Sequence, residues 1–391
     1  MNVMQSRREG FALAGAVLAM VLVGAIVTGG FYAAHQESQV TRSSELADLA
    51  QYIAEQGLET VVSSTNANTL NALATNGGPD TLASAVNVQY GGKTVGNYTV
   101  TINRLTQWLF SVSSTGTVTI GQAGNNSNSQ RTVTNVVRIR NVDFDNQTAV
   151  QVFGDLTVTG TSDVVGADHF DSSWTGCSTT SGSAAVVANT GSTVQTQGAG
   201  QIQGTVSHQS LGAGNFTVFG DLTWSDLVSM ATNVYSAGAN PSPTPTTTGS
   251  PPVCNTSNVN NWGAPTQPTH VCANHFPIIY TPGNMSISSN TSGQGILLVA
   301  GDLQIQSQFE FYGPIIVMGS IDFQGGAEIH GSVLAYGGGV LNDLSSTAGN
   351  MIVQYSSCAI ARATQGASGL VRGVPIRNRS WMDQTAIQNS F

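Results

Sequence analysis

Apolar and polar residues follow several different patterns along this chain. From Phe11 to Tyr32 the sequence is apolar, and no Asp, Glu, Lys or Arg occurs between Phe11 and Ala34. A run of 22 residues spans about 33 Å as a helix, enough to cross a hydrocarbon core. Arg7 and Arg8 precede it, which predicts a single-pass segment with its start on the cytoplasmic side. Beyond it, Val40, Leu46, Leu49, Ile53, Leu58, Val61 and Val62 recur near helical spacing, with Glu45, Asp48, Glu55 and Glu59 interspersed. The helix is therefore expected to run on to about residue 62, with its apolar stripe against a β domain and its charges in solvent.

The pattern then changes period. Residues 63–85, rich in Ser, Thr, Asn and Gly, read as a loop. Alternating runs follow at Tyr98–Ile102, Leu109–Ser113, Thr117–Ile120 and Thr132–Ile139, which predicts a small antiparallel sheet over 86–145. From about Gln147 a phrase recurs: Val152-Phe-Gly-Asp-Leu-Thr-Val158, Val218-Phe-Gly-Asp-Leu-Thr-Trp224 and Val299-Ala-Gly-Asp-Leu-Gln-Ile305. Degenerate copies start at Met318 and His330, so that Gly301, Gly319 and Gly331 lie 18 and then 12 residues apart. A strand, a Gly-Asp corner and a second strand is the pattern of a parallel β-helix turn. The expected corners are Gly154-Asp155, Gly220-Asp221 and Gly301-Asp302, with the Asp side chain capping its own turn. Leu156, Val158, Leu222, Leu303, Ile305, Ile321 and Phe323 would stack inside. The expected fold is mainly β with a long N-terminal α-helix: a transmembrane helix over 11–62, a small antiparallel sheet, then a right-handed parallel β-helix-like domain over 147–345. A Pro- and Thr-rich insertion at 241–252 reads as PPII-like or disordered. Residues 346–391 form a C-terminal extension carrying Arg362, Arg372, Arg377 and Arg379.

Composition narrows the function. Charged residues are only 8% of the chain, Gly numbers 45, and the net charge is −9. An acidic chain without a basic face is a poor match for nucleic acid. The four cysteines, Cys177, Cys254, Cys272 and Cys358, favour two disulfides with three conceivable pairings. Cys254 and Cys272 flank one loop and are expected to pair first, which leaves Cys177 with Cys358. No C-x-x-C spacing suggests a zinc site.

The start of the chain carries a resemblance. Arg7-Arg8-Glu9-Gly10-Phe11 followed by an apolar helix resembles the class III signal of type IV prepilins. A secretory signal peptide fits less well, because the apolar run is long and no A-x-A site follows. A twin-arginine signal fits poorly because Gly10 stands where a bulky apolar residue is usual. The resemblance implies a prepilin peptidase cutting after Gly10, with Phe11 as the mature N-terminus and the helix retained. Ala54-Glu-Gln-Gly-Leu-Glu59 is similar to the segment that closes this helix in PilX-type minor pilins, and the strand sequences from Tyr98 onward resemble the sheet that follows it. Major pilins carry Glu where Gly15 stands, so the resemblance points to a minor pilin or pseudopilin. It implies other pilin subunits as partners, and a bacterial inner-membrane location until the exported bulk reaches the cell surface or a pilus.

Catalytic chemistry is sparse. Asp155, Asp221, Asp302 and Asp322 could line a β-helix groove or hold calcium, but Asp after Gly ordinarily caps a turn. His169, Asp171, Ser172 and Ser173 cluster in the sequence without a G-x-S-x-G elbow. His208, His270, His275 and His330 are scattered without H-x-x-x-H spacing. The sequence predicts no catalytic residue, no metal and no cofactor. The rival readings are a membrane-anchored β-helix that binds or processes carbohydrate, with a surface or glycan ligand, and a polymer-forming cytoskeletal β-helix.

Overall fold

The computed structural model describes residues 9–65, 70, 73–75, 77–106, 109–120, 127–144, 147–179, 183–342, 351–367, 369–371, 373–376 and 381–383. The chain divides into two compact units. The smaller comprises Met1–Thr65, Leu70–Arg138 and Val374–Phe391, and the larger comprises Asn66–Thr69 and Ile139–Gly373.

In the smaller unit a 56-residue helix, α1 (Glu9–Ser64), precedes four strands: β1 (Asp80–Tyr90), β2 (Lys93–Arg104), β3 (Leu109–Ile120) and β4 (Ser127–Ile139). They pair antiparallel in sequence order; β1 begins at Asp80, inside the stretch read as a loop, and the runs at Leu109–Ser113 and Thr117–Ile120 are one continuous strand, β3. Leu46, Ala50, Ile53, Ala54, Leu58 and Val61 form the buried stripe of α1. They recur three and four residues apart, so they share one helix face. Val40 remains exposed, and the packed part of the helix begins at Leu46. Tyr98, Val100 and Ile102 of β2 and Phe110, Val112 and Val118 of β3 are buried in the same unit. Small residues set how closely the helix lies on the sheet. A Cβ added at Gly116 of β3 would come within 2.6 Å of the Ala54 nitrogen, and one at Gly57 within 2.6 Å of the Tyr98 ring. The Ala54-to-Glu59 segment thus has a physical basis: Ala54 and Gly57 admit the sheet, Leu58 is buried, and Glu55 and Glu59 stay exposed.

The larger unit is built from parallel strands that alternate between two sheets. One contains Ile278–Thr281, Ile296–Val299, Glu310–Val317 and Glu328–Ala335; the other contains Met285–Ile287, Leu303–Ile305, Ser320–Gln324 and Gly338–Asn342. Each strand pairs with the one 18 residues on, as in Leu297 with Ile315, Ile315 with Val333, and Leu303 with Ile321. Thr148–Val152, the first strand of this unit in the chain, stacks beside Glu328–Ala335, with Val150 opposite Val333. Leu156–Thr159 likewise follows Gly338–Asn342, and Ile352–Tyr355 also pairs with Glu328–Ala335. The interior is a column of aliphatic and aromatic residues, with Ile305, Phe323 and Val158 all fully buried. Each contributes roughly 1.5–3 kcal/mol relative to an exposed position.

From Ile278 to Asn342 the period of this unit is 18, which revises the spacing read from the sequence. Gly319 N bonds Gly301 O, and Gly337 N bonds Gly319 O, so the corner after Gly319 is Gly337. Gly331 belongs to a different column inside strands, where Gly313 and Gly331 are register partners. Their φ values of +137° and +152° disfavour a side chain, and a Cβ on Gly313 or Gly331 would clash with the carbonyl oxygen of Gly295 or Gly313. The 12-residue interval came from stepping between two columns.

Other expectations also change. Gly220-Asp221 is not a corner of the parallel stack. Val218–Phe219 and Leu222–Thr223 form an antiparallel hairpin, with Gly220 at φ +65° making its turn. The Pro- and Thr-rich insertion is ordered: Thr247–Thr248 pairs antiparallel with Val253–Cys254, and Pro241 and Pro243 are buried. Within the expected C-terminal extension, Ile352–Tyr355 and the helix Ser357–Gly366 belong to the larger unit, whereas Gly373–Pro375 and Trp381–Asp383 join β4. Arg372, Arg377 and Arg379 lie outside the described residues.

Candidate functional site

The first half of α1 differs from the second in what its side chains meet. Leu13, Leu18, Met20, Ile26, Phe31 and Tyr32 are between 65 and 75% exposed, and every described residue from Leu13 to Tyr32 is exposed. Among the described residues this is the single helix long and apolar enough to cross a membrane. Among the described residues from Leu13 to Phe31 the one side-chain hydroxyl, Thr28 Oγ1, donates to Gly24 O at 2.8 Å, so the helix itself satisfies it. Gly10 and Phe11 lie in the first turns of the helix, and Gly15 lies a turn further on. Arg7 and Arg8 are outside the described residues.

The repeat corners hold one another. Asn284 Oδ1 accepts from Asp302 N at 2.9 Å, and Asp302 Oδ1 accepts from Ser320 N at 2.8 Å, each link 18 residues long. Asp155 Oδ1 accepts from Thr193 N at 2.7 Å, and this bond holds its carboxyl below the usual range. Each carboxylate thus caps a neighbouring turn of the stack rather than its own. Asp221 is used differently, accepting from Asn141 N at 2.7 Å. Asp322 accepts from the amides of Gln304 and Gln324 at 3.1 and 2.9 Å. Asn284, Ser286, Asp302, Gln304, Ser320 and Asp322 line an open trough of about 410 Å³, away from Asp155 and Asp221. It holds hydrogen-bonding side chains and no aromatic ring or basic group on which a sugar or its carboxylate could dock.

Two disulfides are present, Cys254–Cys272 and Cys177–Cys358. The first closes the loop around the buried Trp262, and Asn261 Nδ2 lies 3.3 and 3.4 Å from its two sulfurs. The second joins the segment 166–179 to the helix Ser357–Gly366. The same segment is held again where Asp168 accepts from the Ser357 amide and hydroxyl, at 2.9 and 2.6 Å.

Under this segment the outer face of one parallel sheet carries a polar cluster that the sequence did not bring together. Register places Glu310 opposite Glu328 and Tyr312 opposite His330. His330 Nε2 lies 3.7 Å from Glu328 Oε2 and 3.9 Å from Glu310 Oε1. The imidazole stacks on the Tyr312 ring, with centroids 4.6 Å apart at 12°, and the Tyr312 hydroxyl donates to Glu310. Trp174 meets the Tyr312 ring edge-on at 5.1 Å, and the Arg362 guanidinium lies 4.7 Å from the Trp174 ring. Burial pushes the Glu310 carboxyl up, and the charges of Glu328 and Asp171 push the same way against the Tyr312 hydrogen bond. Burial holds His330 below the usual imidazole range, against the pull of Glu328. Asp171 sits low because it accepts from the Ser173 hydroxyl and amide.

The remaining expected candidates stay apart. His208 is exposed, and His270 Nδ1 accepts from Cys272 N at 3.0 Å. His275 Nε2 is buried without a hydrogen-bond partner among the described residues. Ser172 is exposed, and Ser173, also exposed, donates its amide to Asp171 at 2.7 Å.

No known family matches the chain, and no curated protein does. Among solved structures, the competence-associated pilin ComZ from Thermus thermophilus is similar to 86% of this chain and 97% of that one, at 11% identity and a TM-score of 0.28.

Proposed function

We propose that this protein is a minor pilin or pilin-like structural subunit of a type IV pilus or related secretion filament. The observation that carries the reading is the division of α1. One unbroken helix is apolar and exposed over its first half, then buried along one stripe against an antiparallel sheet over its second. Such a helix can sit in a membrane and later pack its exposed half among the same helices of neighbouring subunits. The Arg-Arg-Glu-Gly-Phe junction supports removal of residues 1–10 by a prepilin peptidase, leaving Phe11 first. Gly15 and the Ala54–Glu59 segment support a PilX-type minor subunit. The 18-residue parallel pairing supports a β-helix as the exported cargo, displayed outside the inner membrane. The action proposed is assembly, not turnover. The carbohydrate reading has less support, since Asp302 and Asp322 are engaged by Ser320, Gln304 and Gln324.

Mass spectrometry of the mature N-terminus tests this. The expected result is a chain starting at Phe11, N-methylated. A chain that keeps Met1, or one cut near residue 30, overturns the pilin reading.

A further inference from the structure

We propose that Glu310, Glu328 and His330 bind a divalent transition-metal ion of the zinc type on the outer face of the sheet. The donor set points to that class. Two carboxylates alone would suit magnesium or calcium, but an imidazole nitrogen among them favours zinc-like ions. The ligand atoms of the three residues all lie within 4.8 Å of one another. The two separations from His330 Nε2 are 3.7 and 3.9 Å. Donors around a tetrahedral zinc, with bonds of ~2.0–2.1 Å, stand about 3.3 Å apart. A small rotation of the two glutamate side chains closes the difference.

The supporting residues are those a metal site needs. Glu310 and Glu328 are fixed as neighbours by strand register, and His330 comes two residues after Glu328 on the same strand face. The Tyr312 ring lies flat against His330, and its hydroxyl holds Glu310, so one residue orients two ligands. The charge balance points the same way. Register sets the Glu310 and Glu328 carboxylates side by side, and His330 Nε2 lies within 4 Å of both. Among the described residues, the basic group within ion-pair reach of Glu310 and Glu328 is His330 itself. Arg362, the nearby cation, lies over the Trp174 and Phe276 rings instead. A bound cation would balance these two carboxylates and tie the two neighbouring strands together.

The test uses the full chain, purified in detergent without a histidine tag, stripped with chelator and titrated with Zn²⁺ by calorimetry. The zinc-loaded protein is then examined by X-ray absorption. The expected result is one Zn²⁺ per chain, not displaced by excess Mg²⁺ or Ca²⁺, with an imidazole and oxygen donors and no sulfur. His330→Ala and Glu328→Gln should each weaken binding by about tenfold or more. Asp322→Asn, on the other sheet, should leave it unchanged. Absence of stoichiometric uptake by the wild-type chain overturns the proposal. So does a spectrum without imidazole, or full binding by a folded His330→Ala variant. If that variant does not fold by circular dichroism, the wild-type spectrum and Glu328→Gln decide.

Discussion

The carboxylate of Asp302 accepts the backbone amide of Ser320, one full turn further along the stack, at 2.8 Å. The Asp302 amide in turn donates to Asn284, one turn back. A side chain that resembles a self-contained turn cap therefore ties three successive turns together. Asp302→Ala should lower stability by roughly 0.5–1 kcal/mol, the worth of an ordinary exposed hydrogen bond, and Asp302→Asn should restore most of it. Denaturant midpoints of the three proteins check this. Equal loss in both variants would mean that the charge, not the hydrogen bond, matters.

The contact between Gly116 and α1 is sterically strict. Gly116→Val would drive a side chain into the Ala54 backbone. It should cost about 1–3 kcal/mol through overpacking and loosen the docked half of the helix. Limited proteolysis should then cut between Leu46 and Ser64, where the wild-type chain resists. An unchanged digest would contradict the close approach.

Gly313→Ala tests the inner glycine column. Gly313 has φ +137° and is the register partner of Gly331. The variant combines a disfavoured backbone with crowding, and a loss of about 1–3 kcal/mol is expected in the unfolding curve. Ser286→Ala, at a half-buried position on the outer side of the other sheet, should stay near wild type.

Both disulfides should be oxidised in the purified protein, so denatured samples without reductant should show no free thiol. Replacing Cys177 and Cys358 together by Ser should cost about 2–5 kcal/mol and speed proteolysis within residues 166–179. Thiol titration and timed digestion check the two statements.

Stability should fall as pH drops from neutrality toward 5. His275 is held below the ordinary imidazole value of about 6.5 by burial. A proton therefore binds the unfolded chain more readily than the folded one, and the stability this residue supports is full above about 6.5 and lost below it. Glu310 acts in the opposite sense. Its raised carboxyl favours the folded state at low pH, and that stability is lost as pH rises through its raised value. The lowered aspartates Asp155, Asp171 and Asp226 act only nearer pH 4 and below. Denaturant midpoints at pH 7.5 and 5.5 should differ less in His275→Gln than in the wild type.

Much of the architecture was legible where one side-chain period held for a long stretch. The apolar run to Tyr32, the stripe from Leu46 to Val61 and the alternation at Tyr98–Ile102 each name their element directly. The parallel stack was legible in kind but not in phase. Gly319 and Gly331 look alike in sequence, yet one turns a corner and the other lies inside a strand. The hairpin at Gly220 uses the same four letters as the corners, because Gly-Asp suits any tight turn. The cluster at His330 could be read only after the period was known. Once 18 is fixed, Glu310 falls beside Glu328 and Tyr312 beside His330; before that, they are four unrelated polar residues. The strands at Gly373–Pro375 and Trp381–Asp383 carry no alternation and gave no signal.

The path of the chain sets an order of completion. The first strand of the small sheet comes from Asp80–Tyr90 and its last described strands from Gly373–Pro375 and Trp381–Asp383, so nearly all of the larger unit intervenes in the chain. The sheet therefore cannot be completed until that intervening stretch has been synthesised, and a chain shortened within it would carry the helix and four strands without the two that pair with β4.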